Sequence, residues 1–529
     1  MRFCRRWLPA AILSLSLTSF GSLVRAAGPQ TSDNDIRQSL KEFSKVYGLV
    51  ESNAATKVDA DRAIFKGAIP SMLRTLDPHS NFFDPQAYEL LREDQAGHYS
   101  GVGMMVGAPE GHVIVMYPFE GSPAFKAGVH PGDSIIAVND KNTTKLDVAG
   151  VSNLLKGPRD TKVQMEVRRA GDDKPLVFDM TRGQVPRSSV PQAFWLKPGI
   201  AYLKVESFNE NTSHEVDAAL KKLNESQISG LILDLRDNPG GILQEAVAVA
   251  DRFLQKGQVI VSHHGRASAE TKFFAQRGER GPQYPVVALV NRGSASAAEI
   301  LAGALQDHDR AWILGENTFG KGLVQAPYPL SGDSALLLTI AHYYTPSGRL
   351  IQRDYAHESF YEYYTRQTGK NNLQDARHTD SGRVVYGGDG ITPDEKYATP
   401  ELSDLEETLA GNLTFFFYGP HFFEQHRDKL AEDWKPDAAT LADFAKFVSA
   451  RGLQFSQDEW KKDEPWIAER LREELFVTAF SKEESDKITL RQDPEVWQGV
   501  RALPQSRALL EHAKAVMAQR ELHTAQLSQ

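Results

Sequence analysis

The stretch Gly230–Gly241, GLILDLRDNPGG, constrains this chain more than any other: it is an apolar run that ends in a glycine-rich turn. A strand with one wet face alternates apolar and polar residues, so an almost unbroken run belongs to a strand covered on both faces. Such strands sit in parallel sheets whose neighbours are joined by helices. The flanking sequence agrees. Residues Ile242–Leu254 have helical spacing, QVIVS (Gln258–Ser262) and VVALV (Val286–Val290) read as strands, and NRGSASAAEILAGAL (Asn291–Leu305) opens a helix. Residues from about 190 to 345 therefore predict an α/β layered core.

That core occupies less than half of the 529 residues, so further domains are expected. Residues 32–76 carry apolar residues at helical spacing. From Gln95 to Arg169 the texture changes to short β-runs, among them GVGMMV, HVIVMYPF and KVQMEVRR, with one helix near Val148–Leu155. Beyond residue 400, Trp- and Phe-rich helical segments alternate with prolines. At the start, Arg2, Arg5 and Arg6 precede the apolar LPAAILSLSL (Leu8–Leu17), and VRAA offers a cleavage point after Ala26. This is the pattern of a signal peptide over residues 1–26, which predicts a periplasmic or secreted protein. The apolar run is short for a bilayer and no later run is long enough, so no integral membrane protein is expected after cleavage. The one cysteine, Cys4, falls inside that segment, leaving no thiol for disulfides, nucleophiles or metals. A net charge of −9 gives no reason to expect nucleic acid.

Two serines, Ser294 and Ser296, stand where an apolar strand gives way to a helix. Ser296 with Glu299 has the spacing of a helix-capping box, which needs no chemistry. The position also suits acyl transfer, because unpaired N–H groups and the positive dipole end lie at a helix start. The N–H of Ala297 could serve a developing oxyanion, and the glycine turn Asn238–Gly241 could supply a second donor. A base is available in GENTFGKGLVQ (Gly315–Gln325). Lys321 lies there between two glycines in an otherwise apolar stretch, where lost hydration lowers an amine's pKa. Neutral lysine is a known base toward a serine hydroxyl. Gln325, four positions on, can orient the amine without adding the charge that would re-protonate it.

The segment Asn291–Gln325 resembles the catalytic region of the carboxyl-terminal processing proteases, also called tail-specific proteases. In that family the second serine of an S-A-S-A-S-E-like run is the nucleophile, a lysine follows 25 residues later, and a glutamine four beyond it. The resemblance implies Ser296, Lys321 and Gln325 as the catalytic group, and it decides between the two serines. It further implies Ala297 with Gly240 and Gly241 as the oxyanion hole. LDPHSNFF (Leu76–Phe83), YYTPSGRLIQ (Tyr343–Gln352) and DGITPD (Asp389–Asp394) extend the likeness. Ala298 stands where the family often has serine, and residues 354–386 read as an insertion.

GHYSGVGMMV (Gly97–Val106) resembles the carboxylate-binding loop of a PDZ domain, with Gly101, Val102, Gly103 and Met104 at the matching positions, and GSPAFKAGVHPGDSIIAVND (Gly121–Asp140) supports it. PDZ domains add an extended peptide to a sheet edge and grip its terminal carboxylate. The expected fold is α/β multidomain. It has a crotonase-like α/β catalytic core at 173–400, an inserted PDZ domain at 95–172, and helical regions at 27–94 and 401–529. The expected partners are polypeptides with apolar C-termini, and an adaptor protein and a homo-oligomer are left open. No cofactor or metal is implied. The alternatives are a PDZ-type binding scaffold whose protease core has been retired and, from the fold relationship, an acyl-CoA enzyme. Among other candidates, His308 reads as a helix-end or surface residue. His263–His264 diverge on a strand, His79 reads as structural, and Phe415–Tyr418 with Trp434, Trp460 and Trp466 read as packing.

Overall fold

Strand Gly230–Asp234 lies in the middle of a six-stranded sheet. The order is Ala193–Lys197, Ile200–Lys204, Gly230–Asp234, Val286–Val290, Ala311–Gly315, Glu395–Lys396, with every pair parallel except the first. The computed structural model describes residues 33–277, 281–357, 360–365, 372–426 and 430–527. The signal-peptide expectation over 1–26 falls outside them, as does Cys4.

The apolar run is explained by two covered faces. Leu231, Leu233, Val286, Ala288 and Ile313 point toward helices Leu243–Phe253 and Ala297–Asp307. Ile232, Val287, Leu289 and Leu314 point the other way, onto Val496, Val500 and Leu503 of helix Pro494–Leu527. The far end of the helical region at 401–529 thus supplies one layer of the core. The helices between Asp404 and Ala479 pack around Phe415, Tyr418, Phe444, Ile467 and Leu471, with Trp434, Trp460 and Trp466 at the edge. These aromatics are packing residues.

QVIVS belongs to a different sheet from VVALV. Val259–His264 pairs antiparallel with Ala335–Tyr344, which also carries Asn81–Phe83 and Leu323–Pro329, while Thr271–Phe274 closes the other edge. Its polar end, Ser262–His264, is not the run of a strand buried on both faces, and this is the physical reason it leaves the parallel sheet.

The β-rich module has strands Met104–Gly107, Ile114–Pro118, Ser134–Val138, Lys162–Arg168 and Leu176–Thr181 in that order, with Lys141–Asn142 beside the third. Its core holds Val115, Val138, Val151, Met165 and Val167, all fully buried. A two-stranded ribbon, His98–Gly101 with Gly183–Pro186, brackets the module in sequence. The described residues from Pro70 onward form one compact unit and those from Asp33 to Ile69 another, so the unit boundary falls inside the segment 27–94. In the N-terminal unit, helix Asp33–Asn53 buries no residue, and Ile36, Leu40, Phe43 and Val50 are exposed. Among the described residues no helix is long and apolar enough to cross a membrane.

Candidate active site

Strands Gly230–Asp234 and Val286–Val290 run parallel and adjacent, so the loops at their carboxyl ends meet; this is where open α/β sheets bind ligands. One loop is the glycine turn and the other carries the two serines. Ser294 is fully buried, and its hydroxyl donates to the Leu235 carbonyl at 2.8 Å and accepts from the Asn291 N–H at 3.0 Å. It ties the two loops together. Ser296 faces the cavity instead.

The Ser296 backbone sits at φ 53°, ψ −114°, a conformation that costs a side chain on the order of 1–3 kcal/mol, unlike the extended geometry of an ordinary N-cap. Several bonds hold it there. The Ser296 N–H donates to the Glu299 carboxylate at 2.8 Å, its carbonyl accepts from the Tyr343 hydroxyl at 3.0 Å, and the preceding Ala295 N–H donates to the Asn238 carbonyl at 2.9 Å. Gly240 packs directly on this corner. A Cβ there would stand 2.8 Å from both the Ala295 oxygen and the Ser296 Cβ, and Gly240 has φ 97°. Its N–H donates to Asn238 Oδ1 at 2.8 Å. Gly241 differs: Phe208 bonds to the Gly240 carbonyl and the Ile242 N–H on either side of it, turning the Gly241 N–H away from Phe208. Ala297 is the first residue of its helix, so its N–H has no partner within the helix.

Glu299 looked like a capping residue in the sequence, but it does more. Its carboxylate is fully buried and accepts from Ser296 N–H, Thr318 hydroxyl, Gly320 N–H at 2.7 Å and Lys321 N–H at 2.9 Å. One side chain therefore fixes the backbone of both Ser296 and Lys321. Burial pushes its carboxyl above the usual range, and these donors pull it back. Sequence spacing registers only the Ser296 half of this arrangement, because Thr318–Lys321 arrive from a distant loop.

The Lys321 amine donates to Gln325 Oε1 at 2.9 Å, and Gln325 Nε2 donates to the His79 carbonyl at 2.8 Å. The carbonyl leaves the glutamine amide one orientation, with its oxygen on the lysine. Burial lowers the Lys321 pKa, while Glu299 and Asp77 pull it upward. His79 sits in an Asp77-capped turn against Tyr363 and Phe319, and burial, aided by Lys321, lowers its ring to about 4. His79 is thus structural as a ring and positional through its carbonyl, a link the LDPHS motif does not reveal. Tyr363 comes from the segment 354–386, whose described residues form helix Phe360–Thr365 and hairpin Asn372–His378/Val384–Gly387.

Ser296, Ala297, Gly240, Gly241, Lys321 and Gln325 all line one cavity of about 2090 Å³. The Ser296 hydroxyl and the Lys321 amine are not hydrogen-bonded to each other in this structure. The cavity continues past Phe119 of the β-rich module and Val185 of the ribbon to Trp466 and Lys482 of the helical region. His308 lies at the far end of the Ser296 helix and is buried, not on the surface: one ring nitrogen meets Asp380 and the other the Val259 carbonyl, both at 2.7 Å. His264 stacks on Tyr344, away from any ligand role with His263.

In the β-rich module, Gly101 ends the ribbon strand, and Val102, Gly103 and Met104 lead into strand Met104–Gly107. Among the described residues that strand pairs only with Ile114–Pro118, which leaves its other edge open beside helix Val148–Leu155. Gly103 has φ 78°, and its carbonyl accepts from the Ser122 hydroxyl at 2.7 Å.

Residues 199–357 match peptidase family S41 and residues 114–169 match a PDZ domain. A carboxy-terminal-processing protease of Bartonella bacilliformis is 36% identical over 337 residues, covering 63% of this chain and 77% of that protein. A carboxyl-terminal-processing protease of Synechocystis sp. is 39% identical over 292 residues, covering 54% of this chain and 68% of that one. A solved photosystem II D1 C-terminal processing protease aligns with 68% of this chain and 87% of its own, at 29% identity and TM-score 0.37. With its S41 core and PDZ domain, the chain belongs to the carboxyl-terminal processing proteases and is a serine-type peptidase.

Proposed function

We propose that this protein is an exported endopeptidase that captures polypeptide C-termini on its PDZ domain and cleaves a nearby bond by serine–lysine chemistry. Ser296 is the nucleophile and Lys321 its general base. The neutral amine takes the hydroxyl proton as Ser296 attacks the scissile carbonyl, then returns it to the leaving amine. Water, activated by the same amine, releases the acyl-enzyme. Ala297 N–H and Gly241 N–H receive the oxyanion. Gly240 contributes closeness rather than a donor, since Asn238 holds its N–H. Gln325 orients the amine. The core is read as crotonase-like, and residues 1–26 as the export signal.

The observation that carries this reading is the Lys321 amine, desolvated and held by a neutral amide in the cavity that also receives Ser296. The two groups approach in the productive state through a side-chain rotation that exchanges the Gln325 contact for one to the Ser296 hydroxyl.

The test is hydrolysis of an unfolded substrate with an apolar C-terminus. Ser296→Ala, Lys321→Ala and Lys321→Arg should each abolish it without lowering the melting temperature; arginine fails because it stays protonated. A Lys321→Ala enzyme retaining parental turnover would overturn the mechanism. A scaffold with a retired core would show no turnover in the parent. N-terminal sequencing of exported protein should begin at Ala27.

A further inference from the structure

At the PDZ hook, three observations concern charge. First, helix Val148–Leu155 ends beside the loop: a Cβ on Gly101 would lie 3.6 Å from the Lys156 Cα, and the Gly157 N–H donates to the Ser100 carbonyl at 3.3 Å. A helix C-terminus carries partial negative charge, which disfavours a carboxylate placed there. Arg182 caps the Leu154 and Leu155 carbonyls at 2.8 and 3.0 Å, so its guanidinium is already engaged. Arg187 also stacks on the Tyr99 ring, at 5.5 Å, but is tied to Asp94, which leaves Lys156 as the cation at the helix end itself. Second, its amine is paired with the Glu93 carboxylate of helix Pro85–Ala96, a segment outside the PDZ sheet. Both side chains are mostly covered, at 23% and 16% exposure. Third, Tyr99 fills the hook from within. Its ring lies under the Lys156 amine at 5.1 Å, and its Cε2 would be 3.0 Å from a Cβ on Gly101. A carboxylate of the protein itself thus already holds the Lys156 amine.

The geometry points to Lys156 as the counter-charge for the terminal carboxylate of a bound polypeptide, with Glu93 holding its place while the hook is empty. A peptide end entering beside strand Met104–Gly107 draws the Lys156 amine from Glu93 to itself. This releases the contact between Glu93 and the PDZ domain. The inference rests on the capture reading above but not on the serine–lysine chemistry.

The experiment therefore uses full-length Ser296→Ala protein, which binds without turnover. Two fluorescent peptides with the same apolar ending are titrated, one with a free carboxylate and one amidated. The background protein should prefer the free carboxylate by about tenfold. Lys156→Gln should cut that preference to about twofold while leaving the amidated peptide unchanged, and Lys156→Arg should keep it. Glu93→Gln should tighten the carboxylate peptide alone. If the background protein discriminates and Lys156→Gln discriminates as strongly, Lys156 is not the counter-charge and capture survives. If the background protein does not discriminate, capture itself fails and takes this inference with it. Should Lys156→Gln melt early, Glu93→Gln decides, and unchanged carboxylate affinity there overturns the proposal.

Discussion

Replacing Gln325 by glutamate puts the general-base assignment under direct strain. The lysine amine and the side-chain oxygen at 325 are 2.9 Å apart, so the substitution sets a full negative charge against a group that must be neutral to act. At about 3 Å and an effective dielectric of about 20, unit charges attract by about 5 kcal/mol. Desolvating the new carboxylate offsets part of this, and opposite charges at such range raise a lysine pKa by about 1 to 3. The sign follows from the mechanism. In the proposed mechanism protonated Lys321 is inactive; burial in the parent holds its pKa below the ordinary value, and the substitution moves it back up. The rising limb of kcat/KM against pH should shift alkaline by about 1 to 3 pH units, so that activity below the limb falls about 10- to 1000-fold. The glutamate also loses the bond to the His79 carbonyl, so plateau activity should drop as well. Gln325→Ala separates the two effects, since it removes the orienting amide without adding charge and should lower the plateau with little movement of the limb. The assay is kcat/KM across pH with an unfolded substrate for the three enzymes. A Gln325→Glu limb at or below the parental position would refute Lys321 as the base.

Three further outcomes follow from the same geometry. Glu299→Gln places an amide NH2 among four donors, so it should cost about 2–4 kcal/mol of stability and depress kcat more than KM; a parental melting curve would show that the carboxylate is not what joins Ser296 to Lys321. Gly240→Ala forces a Cβ to 2.8 Å from the Ser296 Cβ at φ 97°, so turnover should fall at least 100-fold, as expected when an oxyanion site is disturbed, while affinity for a carboxylate-ended peptide stays unchanged. For His308, burial opposes charging, yet Asp380 and the Val259 carbonyl, with Asp307 adding, hold its pKa above the ordinary value. That contribution to stability is complete below about pH 6.5 and lost as pH rises through the higher folded pKa. The melting-temperature gap between parent and His308→Gln should therefore be widest in mild acid and narrow toward alkaline pH. A gap independent of pH would mean that the ring is neutral.

The architecture was legible wherever burial is two-sided. The Gly230–Leu235 run reads as a central strand because both faces are covered, and the PDZ strands read from their short apolar runs and turns. Helix Pro494–Leu527 was legible as a helix but not as a layer of the core, because amphipathic spacing gives no sign of which sheet the apolar side will meet. At the site, the sequence brings out Ser296, Lys321 and Gln325 as residue types with the right chemistry. It is blind to Glu299 as a bridge, to the His79 carbonyl that orients Gln325, and to Glu93 on Lys156. Each of those contacts joins segments far apart in the chain, or uses a backbone atom that no side-chain pattern encodes.

The helix that lies over Ile232, Val287 and Leu289 begins only at Pro494. During synthesis the strands bearing the glycine turn and Ser296 leave the ribosome some two hundred residues before the segment that seals their second face. Such a nascent chain leaves Ile232, Val287 and Leu289 without the helix that covers them. A chain cut short before Pro494 should therefore show no turnover while keeping the glycine turn and Ser296, and its melting transition should be lost with it.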